Sequence, residues 1–209
     1  MTGLAALPNA GTQGAGAQDP GVLPIQARLL AVAAQLFADK GFDATSVQEV
    51  VERAQVTKGA LYHYFDSKQD LLYEIYHQII SAQLADLQQI LATGEPPERM
   101  LRTIIVSLVE STAARANQAL VFSREMHRLD RDKMDAVRAD RRRYHDLVRD
   151  VVARAQGSGA FAKVADADTV AYIVFGVVNQ LPRWYNPNGS KPPTQLGTEI
   201  ADFVLAALR

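Results

Sequence analysis

The chain has 209 residues, with 22 Lys and Arg against 23 Asp and Glu, four histidines, no cysteine and 48% hydrophobic residues. That length holds one large domain or a small head with a larger body, and the near-neutral charge excludes nucleic-acid binding by bulk positive charge. With no cysteine, disulfides, thiolate chemistry and cysteine metal sites are excluded, which suits a reducing cytoplasm.

Residues 1–23 are rich in Gly, Ala, Pro and Gln, lack apolar periodicity and read as a disordered tail. The first basic residue is Arg28, so the tail carries neither the positive start of a signal peptide nor the arginine-rich face of a transit peptide. A first helix is predicted from Pro24 to Lys40, opened by a proline suited to a helix start and stopped at Gly41. Its stripe is Leu29, Val32, Ala33, Leu36 and Phe37, with Phe42 as a plug, and Arg28 is a candidate phosphate contact.

Three short helical pieces follow. In the first, Val47, Val50, Val51 and Ala54 recur at i, i+3, i+4 and i+7, and Thr45 or Ser46 can cap it. Gln55 and Val56 form a break, Thr57 caps again, and a helix of barely two turns runs to Phe65 with Ala60, Leu61 and Phe65 inward. A helix that short does not persist alone, because nucleation costs more than two turns return, so its neighbours must clamp it. The layout is that of a helix-turn-helix. Lys58 offers charge, Gly59 close backbone approach, and Thr57, Tyr62, His63 and Tyr64 offer hydroxyl or imidazole groups for phosphates and base edges. Asp66 and Ser67 cap the next helix, whose first turn places Lys68 beside free N–H groups, a natural phosphate clamp.

That next helix runs unbroken through Leu71, Leu72, Ile75, Ile79, Ile80, Leu84, Leu87 and Leu91 to about Thr93. At roughly 40 Å it links a head to a body. Gly94, Pro96 and Pro97 end it and begin a helix over 97–114 with Met100, Ile104, Ile105, Leu108 and Val109 inward. Asn117 to Leu129 reads as a short buried helix. From Asp130 a long helix to about Gln156 carries Met134, Val137, Arg141, Tyr144, Val148 and Val151 as its stripe, so Arg141 falls inward: a snorkelling or carboxylate-paired side chain, or a counter-charge for an anionic ligand head. The run Arg141, Arg142, Arg143 could meet a phosphate at a cavity mouth. The helix after Asp166 or Asp168 is apolar nearly all round, hence buried all round, and too short to span a bilayer. The last helix, Pro193 to Leu208, shows Leu196, Ile200, Phe203, Val204 and Leu208 as a stripe. These last two helices make a plausible four-helix interface with a second copy.

The stretch Thr45 to Leu72 resembles the head of the TetR family of bacterial regulators. The pattern is carried by Thr45 with Ser46, Val47 to Ala54, Val56 with Thr57, Gly59 to Leu61, Tyr62, Tyr64 with Phe65, Ser67 with Lys68, and Leu71 with Leu72, and the match extends upstream to Leu29, about fifty residues in all. The resemblance implies an all-α protein: a helix-turn-helix head over 24–70, and a ligand-binding and dimerisation body over 71–209. It implies a sequence-specific regulator, a homodimer on a palindromic operator of double-stranded DNA, released by a small, largely apolar effector. It further implies phosphate contacts from Thr45 or Ser46, Tyr64 and Lys68, and groove contacts from Thr57, Lys58, Gly59, Tyr62 and His63. At Gln55 the family usually has glycine, which relieves a left-handed backbone.

The segment Arg183, Trp184, Tyr185 before a Pro and Gly turn is similar to a subgroup of that family that senses acyl-coenzyme A thioesters or related lipids. Candidate ligand contacts are Met100, Ile104, Phe122, Met126, Arg141, Tyr144 and Trp184. The head itself is not basic: Arg28, Lys40, Arg53, Lys58 and Lys68 face Asp39, Asp43, Glu49, Glu52, Asp66 and Asp70. Two heads are therefore needed for affinity. His63, His77, His127 and His145 fall at no metal-ligand spacing, no phosphate loop or nucleophile elbow occurs, and neither cofactor nor enzymatic activity is expected. The alternative is a helical lipid-binding or adaptor protein that never touches DNA.

Overall fold

The computed structural model describes residues 23–186 and 189–209, so the expected tail lies, but for Leu23, outside the described residues. Among the described residues ten α-helices follow in order: α1 (Ile25–Lys40), α2 (Val47–Arg53), α3 (Lys58–Tyr64), α4 (Lys68–Ala92), α5 (Pro97–Ala114), α6 (Ala116–Glu125), α7 (Arg131–Gly157), α8 (Ala167–Asn179), α9 (Leu181–Trp184) and α10 (Pro193–Ala207). A 3-10 turn, Met126–Arg128, joins α6 to α7, and no strand occurs among the described residues.

The helix starts follow local chemistry. The side chains of Ser46, Thr57, Ser67, Asp130 and Asp166 each accept from a backbone N–H three residues on, satisfying a donor that the first turn cannot. Proline opens α5 and α10, and Gly41 closes α1 at φ 88°.

The head is α1, α2, α3 and the first turns of α4, packed through Leu29, Ala33, Phe37, Val50, Leu61, Phe65 and Leu71. In the body, α5 is the central post, touching α4, α6, α7, α8, α9 and α10. Its closest neighbour is α10, where a Cβ built on Gly197 would stand 2.9 Å from the Val106 Cα.

Two expectations change. Asn117 to Leu129 is not one helix but α6 plus the 3-10 turn. The greasy penultimate helix, α8, expected to be covered in part by a second protein surface, leaves Tyr172 and Ile173 65% and 52% exposed in the single chain. Phe203 is 76% exposed, because α10 is buried along Leu196, Gly197, Ala201, Val204, Leu205 and Leu208, a stripe that passes beside it.

Gly197→Ala should lower thermal stability by about 1–3 kcal/mol, the usual cost of overpacking a tight contact. A melting temperature equal to or above that of the unsubstituted protein contradicts the α5–α10 packing.

Candidate nucleic-acid interface and ligand cavity

α3 is anchored by Leu61, fully buried, and by Phe65 just beyond it. With that side locked, Thr57, Lys58, Gly59, Tyr62, His63 and Tyr64 all lie exposed. Lys58 Nζ lies 5.9 Å from the Tyr62 ring centroid, and no ion pair engages Lys58 among the described residues. Nothing but the Thr57 hydroxyl, at 3.9 Å, lies near a Cβ built on Gly59, so the fold itself does not need glycine there. Ser46 is exposed and its hydroxyl oxygen caps α2.

Two expected phosphate contacts are turned into the protein. Thr45 is 1% exposed and its hydroxyl donates to the Gly41 carbonyl at 2.9 Å. Lys68 donates to the carbonyls of Phe42 (2.7 Å) and Thr45 (2.8 Å) and stands 4.2 Å from the Phe42 ring centroid. Burial pulls the Lys68 ammonium below the ordinary lysine pKa, partly offset by the charges of Asp43 and Glu125. Its ammonium therefore stitches the α1–α2 loop to α4. Gln55 is the one non-glycine residue with positive φ among the described residues, at 55°. The left-handed turn is thus kept, at a strain of about 1–2 kcal/mol for an L side chain, and α3 keeps its place.

The head is also tied to the body. Arg128 of the 3-10 turn pairs with Asp43 at 2.5 Å, and its carbonyl accepts from Gln69 at 3.0 Å. Lys133 on α7 bridges Asp70 on α4 (2.9 Å) and Asp130 (2.8 Å). Burial raises the Asp70 pKa, but hydrogen bonds from Lys133 and Ser67 and the Lys133 charge outweigh it, so the net lies below the usual value near 3.8. The hydrogen bonds from the Lys133 side chain and backbone hold Asp130 below that value as well.

Inside the body two chambers adjoin. The outer, about 620 Å³, is walled by α7 and α8 through Arg141, Arg142, Tyr144, His145, Tyr172 and Phe175. The inner, about 230 Å³, is walled by Tyr76, Ile79, Phe122, Ser123 and Met126. Ile80, Gln83, Arg141 and Asn179 line both. Arg141 sits between them, its Nη1 3.9 Å from the Met126 sulfur and its guanidinium 5.9 Å from the Phe122 ring centroid. Tyr76 stacks on Phe122 at 4.2 Å and donates to the Val137 carbonyl at 3.3 Å. Burial pushes the phenol pKa of both Tyr76 and Tyr144 up, so both stay neutral donors.

A head of this geometry on a body of this kind has counterparts. Residues 29–75 match the family model described as bacterial regulatory proteins, tetR family, and residues 93–208 match the tetracyclin repressor-like C-terminal domain. The chain belongs to the TetR family. It is 28% identical over 181 residues to the HTH-type transcriptional repressor KstR2 of Mycolicibacterium smegmatis, covering 86% of this chain and 88% of that one. Its fold superposes with a TM-score of 0.81 on the ketosteroid transcriptional regulator KstR2 of Mycobacterium tuberculosis, at 24% identity over 90% of this chain and 96% of that one. A TM-score of 0.75, at 21% identity, relates it to AibR, whose structure holds isovaleryl coenzyme A and operator DNA, over 86% of this chain and 97% of that one.

TetR-family proteins are DNA-binding regulators, not enzymes; they bind operator DNA and dimerise. In this member the expected groove residues Thr57, Lys58, Gly59, Tyr62 and His63 come together on one outward face, with Tyr64 beside them. Of the expected ligand contacts, Phe122, Met126, Arg141 and Tyr144 meet at the chambers. Met100, Ile104 and Trp184 do not: Ile104 is core, Met100 packs against the core, and Trp184 is 53% exposed outside both chambers. Arg141, expected to fall inward on the α7 stripe, is instead exposed and reaches both chambers. His145, to which sequence reasoning assigned no role, lines the outer chamber with its Nδ1 3.5 Å from Asp146 Oδ1; its spacing of four from Arg141 was the available signal.

The lowered carboxyls of Asp70 and Asp130 contribute stability that is present above the usual aspartate pKa near 3.8 and is lost as pH falls through their folded values. Lys133→Met should therefore lower the melting temperature at neutral pH, and that deficit should shrink once the medium is acid enough to protonate both carboxyls. A deficit that stays constant into strong acid contradicts the bridge.

Proposed function

We propose that this protein is a cytoplasmic homodimeric repressor that holds a palindromic operator and lets go when an amphipathic, anion-bearing effector enters the body. The observation that carries the reading is the outward set on α3, held in place by Leu61 and Phe65. Paired heads reaching successive major grooves would stand about 34–36 Å apart. The relatives named as repressors support the direction of control. A division near residue 70, with the head before it and the body after it, accords with this, since α4 runs from one into the other.

The dimer is assigned to α8 and α10. Tyr172, Ile173 and Val177 on α8 and Phe203 on α10 are large apolar side chains left in water by the single chain. Exposed apolar side chains of this kind mark an interface. No helix among the described residues is long and apolar enough to cross a membrane. The effector is assigned to the paired chambers, whose combined size suits a small molecule. The aromatic inner chamber would take the apolar part. Arg141 and Arg142, which make no ion pair among the described residues, would take an anionic head such as that of an acyl-coenzyme A. The likeness to AibR supports that class.

Fluorescence anisotropy on an operator selected from the host genome tests the DNA contacts. Lys58→Ala should weaken binding and flatten the log-affinity against log-salt slope by about 0.9, one phosphate, without changing the melting temperature. Lys68→Met should instead lower the melting temperature and leave the slope of the folded protein unchanged; the reverse pattern would return Lys68 to the phosphate. Phe203→Asp should convert the dimer to monomer in sedimentation and abolish operator binding, and a persisting dimer contradicts the α8–α10 interface.

A further inference from the structure

The 3-10 turn Met126–Arg128 is only three residues long, yet its two ends reach different parts of the molecule. At one end Met126 lines the inner chamber and touches Arg141. At the other, Arg128 holds Asp43, and its carbonyl receives the Gln69 side chain. Asp43 lies in the loop Phe42 to Thr45, whose carbonyls are gripped from the far side by Lys68. That loop leads directly into Ser46, the cap of α2, and so into the helix-turn-helix.

We propose that the turn Met126–Arg128 is a strut between the effector cavity and the DNA-reading head, with Arg128 as the positioning residue at its outer end and Arg141 setting Met126 at its inner end. The proposal rests on the reading of the chambers as the effector site. Arg141 holds Met126, Arg128 holds Asp43, and the loop before α2 is fixed between Arg128 and Lys68. An occupant that engages the Arg141 guanidinium or displaces the Met126 side chain withdraws the turn, frees Asp43, and leaves the loop held from one side only.

The strengths of the two holds suit these roles. Arg128 and Asp43 are 44% and 62% exposed, so water screens their pair and small displacements release it. Lys68, part-buried on two carbonyls, stays in place, so the head shifts without coming apart. The bridge from Lys133 to Asp70 and Asp130 lies one helical turn further on and keeps the start of α7 against α4 while the 3-10 turn moves.

Hydrogen–deuterium exchange on the full-length dimer tests the strut without any effector or DNA. The peptide to follow spans 42–50, which includes the amides of Thr45, Glu49 and Val50, each bonded locally. Arg128→Ala and Arg141→Met should each speed its exchange about two- to fivefold, the scale of a screened ion pair. The double variant should be no faster than the faster single one, because both break one path. Arg128→Lys, which keeps the charge opposite Asp43, should exchange like the unsubstituted protein. Asp202→Asn, which breaks the remote Arg102 pair, should leave the peptide unchanged. The strut is overturned if Arg141→Met leaves 42–50 unaltered, if the two effects multiply, or if the lysine variant is as fast as the alanine one. Failure of the protein to bind any operator would instead defeat the repressor assignment and leave the exchange result standing.

Discussion

Everything this protein is built to do depends on locking a helix that cannot stand alone. α3 has seven residues, fewer than two full turns, and an isolated segment of that length melts in water because its nucleation cost is never recovered. Leu61 at its centre and Phe65 at its end are driven into the head core, and Thr57 closes its first turn with a side-chain cap. Those constraints fix the rotation of the helix about its axis. With the rotation fixed, Lys58, Gly59, Tyr62 and His63 are left on one outward face.

The same logic of few, well-placed ties runs through the rest of the molecule. The loop before α2 has no secondary structure of its own, so Lys68 supplies from inside the hydrogen bonds that a helix would have supplied. α4 carries the head on one end and a chamber wall on the other, and the Asp70, Lys133 and Asp130 bridge keeps α7 registered against it. In the body, the close approach of α5 and α10 at Gly197 holds a rigid floor, while the chamber between α4, α6, α7 and α8 is left unfilled. Rigidity where surfaces must be presented, and open volume where a guest must be accommodated, are produced by one chain through residue size alone.

The head was legible in the sequence because short-range rules govern it: cap residues, a 3.6-residue stripe and Gly41 locate its helices to within a residue or so. Ser46 rather than Thr45 as the α2 cap was left open, and the buried hydroxyl of Thr45 could not be told from an exposed one by type. For Lys68 the sequence leaves a related choice open. A lysine at a helix start serves an anion or a loop carbonyl equally well, and which of the two lies nearby is a tertiary fact. In the body, stripes identified the buried sides of α5 and α7, but not which buried residue borders a void. Ile104 and Phe122 look alike in sequence, yet one is sealed in the core and the other lines a chamber. Phe203 was placed on the α10 stripe by its spacing, but the stripe that α5 covers passes beside it and leaves it exposed.

The most direct test uses the absence of cysteine from the chain. A single thiol introduced as His63→Cys can carry an iron chelate that cleaves whatever nucleic acid lies beside α3. On operator DNA the account predicts two cleavage clusters, related by symmetry and about one helical turn apart, with no such pattern when the thiol is placed on the body as Asp150→Cys. Diffuse cleavage from position 63, or cleavage of equal strength from position 150, would contradict it.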